Sequence, residues 1–198
     1  EKIGIVMMGQ TQEICPADKK MYALRDVTGT IESIPLICSS IMSKKIAEGI
    51  EGLVLDIKFG NGAFMKNIED AQTLGRMLIR IGEHFGISTN VVFSNMNQPL
   101  GKTAGLWCEV QEAIDSLQGN GPDDTMEITF ELGSNLLQQA KVSNTRDEAI
   151  SIQKSMIESG KAFDKFLEMV ETQGGNPEAI EQNKNIHTPL FEDFVSSN

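Results

Sequence analysis

Three side chains in the first quarter of the chain have types and spacing suited to binding a small planar ligand. Ser40 and Lys44 lie four residues apart in a segment with helical character, so they share one helix face. Arg25 ends the preceding helical segment, only a short turn away in sequence. A guanidinium, a hydroxyl and an ammonium could therefore converge on one ligand and donate hydrogen bonds to it.

A simpler interpretation of the same residues exists, and periodicity alone favours it. In this interpretation Lys44 and Lys45 are solvated surface residues. Arg25 then forms an ion pair with Asp26 or Glu32, which follow it by one and seven residues.

The elements that must position these residues follow from hydrophobic periodicity. Strands are predicted at residues 3–8, 53–59 and 89–94, and helices at residues 19–28, 35–49, 68–85 and 106–119, with a mostly helical stretch from 123 to 182. Ser33 and Thr145 are predicted to cap the helices that follow them. The alternation of strands and helices predicts an α/β fold, with a small helical unit and a larger part in which helices cover a mainly parallel sheet.

Composition limits the classes of function. The chain has 198 residues, 40% of them hydrophobic and 23% charged, as expected of a soluble globular protein. Its 17 basic and 28 acidic residues give a net charge of -11, which argues against nucleic acid or an anionic membrane as partner. The three cysteines are widely separated and favour neither a zinc site nor disulfides, so a reducing cytoplasmic setting fits best. Neither a signal peptide nor a transmembrane segment is indicated.

A long segment of the chain resembles a known enzyme family. The string YALRDVTGTIESIPLICSSIMSKKIAEGI, residues 22–50, is similar to the thymidine and pyrimidine nucleoside phosphorylases. The similarity continues upstream through GQTQEICPADKK and downstream through LVLDIKFGNGAFM, NQPLGKTAG and EVQEAI, so it covers at least residues 9–117. It implies a small helical domain at residues 17–48 and a larger α/β domain formed by residues 1–16, as strand and hinge, and residues 49–198.

The resemblance also assigns roles to the three donors. In the family, three side chains bind the O2, N3 and O4 edge of the pyrimidine. They are an arginine of the YALRD motif and a serine and a lysine of the SIxxKK motif. These positions are Arg25, Ser40 and Lys44 here. The base leaves with growing negative charge, so fixed cations beside its carbonyl oxygens stabilise the transition state more than the substrate. Arg25 and Lys44 are therefore the catalytic candidates.

Apolar walls of the family's base pocket match Tyr22, Ile37 and Phe64. For Ile37 and Phe64, packing in the protein core is an equally good interpretation, whereas Tyr22 lies beside the arginine motif. The glycine loop FGNGAF, which carries Phe64, has the alternative role of a phosphate cradle, since strand-glycine-helix turns present backbone amides to anions. Its spacing matches no standard nucleotide loop, and the pocket-wall role is preferred.

The resemblance implies no required cofactor, with phosphate as co-substrate. Some family members bind a structural monovalent cation, and the positions that match its ligands are Leu100, Thr103 and Glu112. The alternative for these residues is a capped loop and a solvated helix carboxylate.

The activity implied is phosphorolysis of thymidine, deoxyuridine or uridine to the free base and a sugar 1-phosphate. The resemblance also implies a homodimer that is cytoplasmic and serves pyrimidine salvage.

The family's phosphate-binding run of lysine, histidine, serine and threonine is expected upstream and is not among these residues. The chain is therefore expected to be an internal fragment that is inactive alone. His84 and His187 do not match the family's histidine. Two alternatives stay open: a pyrimidine-binding or fold-only module without turnover, and a phosphoribosyltransferase of the same fold.

Overall fold

A computed structural model describes residues 3–9, 11 and 13–181 of the chain. Within these ranges the chain forms two strands, β1 (Gly52–Phe59) and β2 (Ser88–Asn95). The helices are α1 (Pro16–Val27), α2 (Ile34–Ala47), α3 (Ile68–His84), α4 (Leu106–Leu117), α5 (Asp123–Gln139), α6 (Arg146–Glu158), α7 (Lys161–Thr172) and α8 (Pro177–Glu181). None of these helices combines the length and apolarity needed to cross a membrane.

The two strands form a parallel sheet that helices cover. Gly52 lies opposite Ser88 at one end of the ladder, and Phe59 lies opposite Asn95 at the other. α3 connects the strands and packs against both of them, and α5 also packs against both. The Gln139 side chain, at the end of α5, donates to the carbonyls of Leu53 at 3.2 Å and Ser88 at 3.1 Å. The predicted α/β class with a parallel sheet is confirmed.

One hydrophobic core joins α2 to β1 and α3. Cys38 and Met42 are each 1% exposed, and they pack with Leu74 and Leu78 of α3 and Ile57 of β1. Cys38 and Met42 are four residues apart and thus lie on one face of α2. This face fixes α2 against the α/β layer, which leaves the face that carries Ser40 and Lys44 for α1.

Two of the helix starts differ in their capping. The Thr145 side chain accepts the Glu148 N–H at 3.2 Å at the start of α6, which confirms the predicted cap. Ser33 precedes α2 as predicted, but its side chain makes no capping hydrogen bond. The first turn of α2 therefore depends more on Pro35, whose fixed φ suits a helix start.

The strand predicted at residues 3–8 is not formed. Residues 3 and 4 form a bend and residues 5–9 have no regular secondary structure, and Val6, Met7 and Met8 are 65%, 70% and 61% exposed. The Met7 N–H donates to Gln173 Oε1 at 3.1 Å, and the Met7 carbonyl accepts from Gln173 Nε2 at 2.7 Å. An apolar run has strand propensity, but a strand also needs a neighbouring edge, and here a single side-chain amide bonds to the backbone instead.

Candidate functional site

Ser40 and Lys44 come together with an aspartate that periodicity does not single out. Lys44 Nζ lies 2.6 Å from Oδ2 of Asp18 and 3.1 Å from Oγ of Ser40. The Ser40 hydroxyl donates to the same Asp18 oxygen at 3.1 Å. Asp18 lies in the first turn of α1, where an acidic residue is ordinarily explained by the helix dipole, so its sequence position carries little signal for this contact.

Burial makes this cluster more than a surface ion pair. The side chains of Lys44 and Asp18 are 23% and 7% exposed, and Ser40 is 9% exposed. A partly buried charge pair with an added hydrogen bond holds its geometry better than an exposed pair does. An ammonium has three N–H donors, and the bonds to Asp18 and Ser40 leave the third for a ligand or water. The interpretation of Lys44 as a solvated surface residue is therefore wrong.

Arg25 is buried and bonds to the backbone. Its side chain is among the buried polar groups, with the residue 6% exposed. The guanidinium donates to the carbonyls of Thr30 at 3.4 Å and Leu36 at 3.5 Å, and also to that of Ile31. These partners are carbonyls of the α1–α2 connection and the start of α2, not the neighbouring carboxylates that the ion-pair interpretation required. Arg25 thus stabilises the turn between the two helices.

A cavity of about 240 Å³ lies between α1 and α2. Its lining includes Asp18, Tyr22 and Arg25 but neither Ser40 nor Lys44, which contact the cavity only through Asp18. The Arg25 guanidinium lies over the Tyr22 ring, with Cζ 5.1 Å from the ring centroid. This volume is below the roughly 300–1,000 Å³ of typical ligand pockets.

The other two predicted pocket walls lie elsewhere. Ile37 packs against the hydrophobic core, in line with the core alternative for that residue. Phe64 is 61% exposed in the loop after β1, so core packing does not apply to it. Of the three predicted walls, Tyr22 is the one that lines the cavity between α1 and α2.

The glycine loop after β1 uses its amides within the protein. The N–H groups of residues 60–63 all donate to protein oxygens. Asn61 donates to Oδ1 of Asn97 and Gly62 to the carbonyl of Met96, both at 2.9 Å. A phosphate cradle needs amides that point at the anion, so this structure gives the phosphate alternative no support.

The residues that match the cation ligands form part of one loop-to-helix contact. Glu112 Oε2 accepts from Thr103 Oγ1 at 3.2 Å and from the Lys102 N–H at 2.8 Å, and Leu100 lies in the same loop. Carboxylate, hydroxyl and carbonyl oxygens are hard ligands, so these residues fit a hard cation. Among the described residues, no group of three or more His, Cys, Asp or Glu side chains is placed to hold a metal ion. Such a cation would therefore rely on carbonyl and hydroxyl oxygens as well as Glu112.

His84 makes no contact with the cluster of Asp18, Ser40 and Lys44. His84 ends α3, where it is exposed and meets Phe85 edge to face, with 5.2 Å between the ring centroids. His187 lies outside the described residues.

Comparison with known proteins agrees with the motifs. Residues 1–163 match the glycosyl transferase family, a/b domain. A pyrimidine-nucleoside phosphorylase of Staphylococcus haemolyticus is 46% identical over 188 residues, which are 95% of this chain and 43% of that protein. A pyrimidine-nucleoside phosphorylase of Staphylococcus aureus is 49% identical over 177 residues, which are 89% of this chain and 41% of that protein. The chain thus spans about two fifths of the length of these curated relatives.

These matches confirm the resemblance to pyrimidine nucleoside phosphorylases that the motifs of residues 9–117 indicated. The family match alone covers most of the chain and includes α1 to α6, both strands and the cluster around Lys44. The chain therefore belongs to the glycosyl transferase family, a/b domain.

Proposed function

We propose that the complete protein phosphorolyses pyrimidine nucleosides, namely thymidine, deoxyuridine or uridine, to the free base and a (deoxy)ribose 1-phosphate. The observation that carries the proposal is the Lys44 ammonium, which Asp18 and Ser40 hold in place with one N–H left over. The similarity to the pyrimidine-nucleoside phosphorylases of the two staphylococci supports the same reaction. Phosphate is the co-substrate, and no residue of this chain is assigned to it.

In this proposal the donors bind the pyrimidine edge. Lys44 and Ser40 bond to polar atoms of the base, and Arg25 adds positive charge beside the cavity that Tyr22 lines. Negative charge develops on the departing base, and a fixed ammonium stabilises it without reorganisation of solvent. Ile37 and Phe64 are further walls of the base pocket in this proposal. They would reach the base only after a rearrangement around it.

We retain the division into a small helical domain at residues 17–48 and an α/β domain at residues 1–16 and 49–198 as part of the proposal. The order of elements supports this division, because α1 and α2 follow one another without a strand and β1 and β2 both lie after them.

The resemblance further supports a homodimer, a cytoplasmic location and a role in pyrimidine salvage. Light scattering on the complete protein would test the homodimer.

A structural monovalent cation at Leu100, Thr103 and Glu112 is also part of the proposal. Its support is the oxygen chemistry of the three residues and the bond between Thr103 and Glu112. The test compares thermal unfolding in potassium, sodium and tetramethylammonium chloride. The stabilisation by a small cation should disappear in Glu112→Gln and persist in Glu109→Gln, whose carboxylate caps the Gly105 N–H of the same helix. Equal melting temperatures in all three salts would refute the cation site.

The test of the activity is phosphate-dependent release of uracil or thymine by the complete gene product. Lys44→Ala should lower kcat/KM by about 10²–10³-fold, as loss of one transition-state donor does in other enzymes. Lys45→Ala is the matched control, because Lys45 pairs with the exposed Glu48 at 3.0 Å and should change kcat/KM by less than about twofold.

The other outcomes separate the alternatives. No base release by the folded wild-type protein, with any of the three nucleosides and ample phosphate, would refute the phosphorylase proposal. Binding of the base without turnover would then favour the binding module. Transfer that requires a phosphoribosyl diphosphate would favour the phosphoribosyltransferase.

A further inference from the structure

Asp18 is a buried carboxylate that the proposed reaction uses only to hold Lys44 in place. It is 6% exposed, yet it lines the cavity between α1 and α2. Its Oδ2 atom accepts from both Lys44 at 2.6 Å and Ser40 at 3.1 Å. The carboxylate therefore acts on both polar groups that the proposed function directs at the pyrimidine.

The hydrogen-bond capacity of Ser40 is nearly used up by these neighbours. A hydroxyl has one proton to donate and two lone pairs to accept with. The Lys44 ammonium can only donate, so its 3.1 Å contact occupies one lone pair of Ser40. The carboxylate of Asp18, as the partner of that ammonium, can only accept, so it takes the hydroxyl proton. One lone pair of Ser40 is left for a ligand.

We infer that Asp18 is a positioning residue that sets which pyrimidines the site accepts, an inference that rests on the proposed function. With its proton committed to Asp18, Ser40 can only accept a hydrogen bond from the base. Uracil and thymine carry an N–H at N3 and satisfy this acceptor. Cytosine has a lone pair at N3, which would face the lone pair of Ser40.

Rotation of the hydroxyl toward cytosine carries its own cost. If Ser40 turned its proton to the base, the buried Asp18 carboxylate would lose one of its two bonds. An unpaired buried acceptor is unfavourable, so the network resists the switch. Asp18 therefore favours uracil and thymine over cytosine without needing to touch the base itself.

The test measures kcat/KM for uridine and for cytidine at saturating phosphate, with the complete gene product. Asp18→Ala frees the Ser40 proton, so the ratio of uridine to cytidine should fall by about tenfold or more. Asp26→Ala is the matched control, because Asp26 is an exposed aspartate on the same helix, and the ratio should stay within about twofold of wild type. Isothermal titration with uracil and cytosine gives the same comparison without turnover.

A second variant keeps the inference testable if Asp18→Ala does not fold. Ser40→Ala removes the acceptor while it keeps Asp18 and Lys44 at their 2.6 Å contact, and it too should lower the ratio. An unchanged ratio in either variant, with circular dichroism showing an intact fold, would overturn the inference and leave the proposed function standing. A folded wild-type protein that neither releases nor binds uracil would overturn both.

Discussion

Lys44 and Asp18 are 26 residues apart in sequence, yet their side chains lie 2.6 Å from each other and join α2 to the first turn of α1. Arg25 makes a second tie at the other end of the same helix, through the Leu36 carbonyl. Asp18 and Arg25 are seven residues apart and so share one face of α1. The polar face of α1 is therefore held against α2 at both ends, which keeps the Ser40 and Lys44 side chains in place.

Loss of the Lys44 charge should reduce stability more than loss of the Lys45 charge. Lys44→Met leaves the buried Asp18 carboxylate without its cation, and we expect the free energy of unfolding to fall by about 1–3 kcal/mol. Lys45→Met removes an exposed pair with Glu48 and should cost less than about 0.5 kcal/mol. Urea unfolding followed by circular dichroism measures both. Equal losses in the two variants would contradict a special role for the pair with Asp18.

Gly60 should tolerate a side chain worse than Gly86 does. Gly60 has φ 115°, and an added Cβ would lie 2.6 Å from Oδ1 of Asn97 and 3.1 Å from its backbone nitrogen. Gly86 has φ 72° but open space around it, so Gly86→Ala isolates the backbone strain, about 1 kcal/mol. Gly60→Ala adds the clash and should cost at least about 1 kcal/mol more. Equal losses of stability for the two variants, in thermal or urea unfolding, would contradict this prediction. They would show that the loop after β1 and the loop after β2 can move apart at little cost.

The Cys38 thiol should be unreactive at neutral and mildly alkaline pH. Burial disfavours the thiolate and raises its pKa to about 11, against a smaller lowering by a backbone hydrogen bond. A raised pKa keeps the thiol neutral, so roughly one molecule in a thousand carries the reactive thiolate at pH 8.

The measurement uses iodoacetamide on the variant Cys15→Ser/Cys108→Ser, which keeps Cys38 alone. The alkylation rate should stay low at pH 8 and increase toward pH 11 for as long as the protein remains folded. Cys38→Ser, which keeps the exposed Cys108, is the reactive control. Rapid alkylation of Cys38 in native protein at pH 8 would contradict its burial.

The two predicted helix caps should differ in what they contribute. Thr145 accepts the Glu148 N–H, so Thr145→Ala should lower the free energy of unfolding by about 1 kcal/mol. Ser33 makes no capping bond, so Ser33→Ala should cost only about 0.3 kcal/mol. The urea midpoints of the two variants, compared at equal m-values, measure this difference in stability. A larger loss for Ser33→Ala would show that its hydroxyl does cap α2 in solution.

Local patterns in the sequence sufficed for most of the elements. The strand predicted at 53–59 is Gly52–Phe59, and the helix predicted at 68–85 is Ile68–His84. Apolar residues at helical spacing, with Asn67 accepting the Asp70 N–H at 2.8 Å, define the start and buried face of α3. These signals lie within one element and need no knowledge of its neighbours. The strand predicted at residues 3–8 failed for the opposite reason, because strand formation depends on a partner edge.

The sequence by itself therefore determined the α/β class and the shared face of Ser40 and Lys44, since a helical period brings residues four apart together wherever the helix packs. Only the tertiary structure decided what that face meets. The bonds to Asp18, the bond from Arg25 to the Leu36 carbonyl and the exposure of Phe64 all depend on how separate elements pack. No period or spacing links such residues, because the contact is set by the relative orientation of two helices or two loops and not by the conformation of either one.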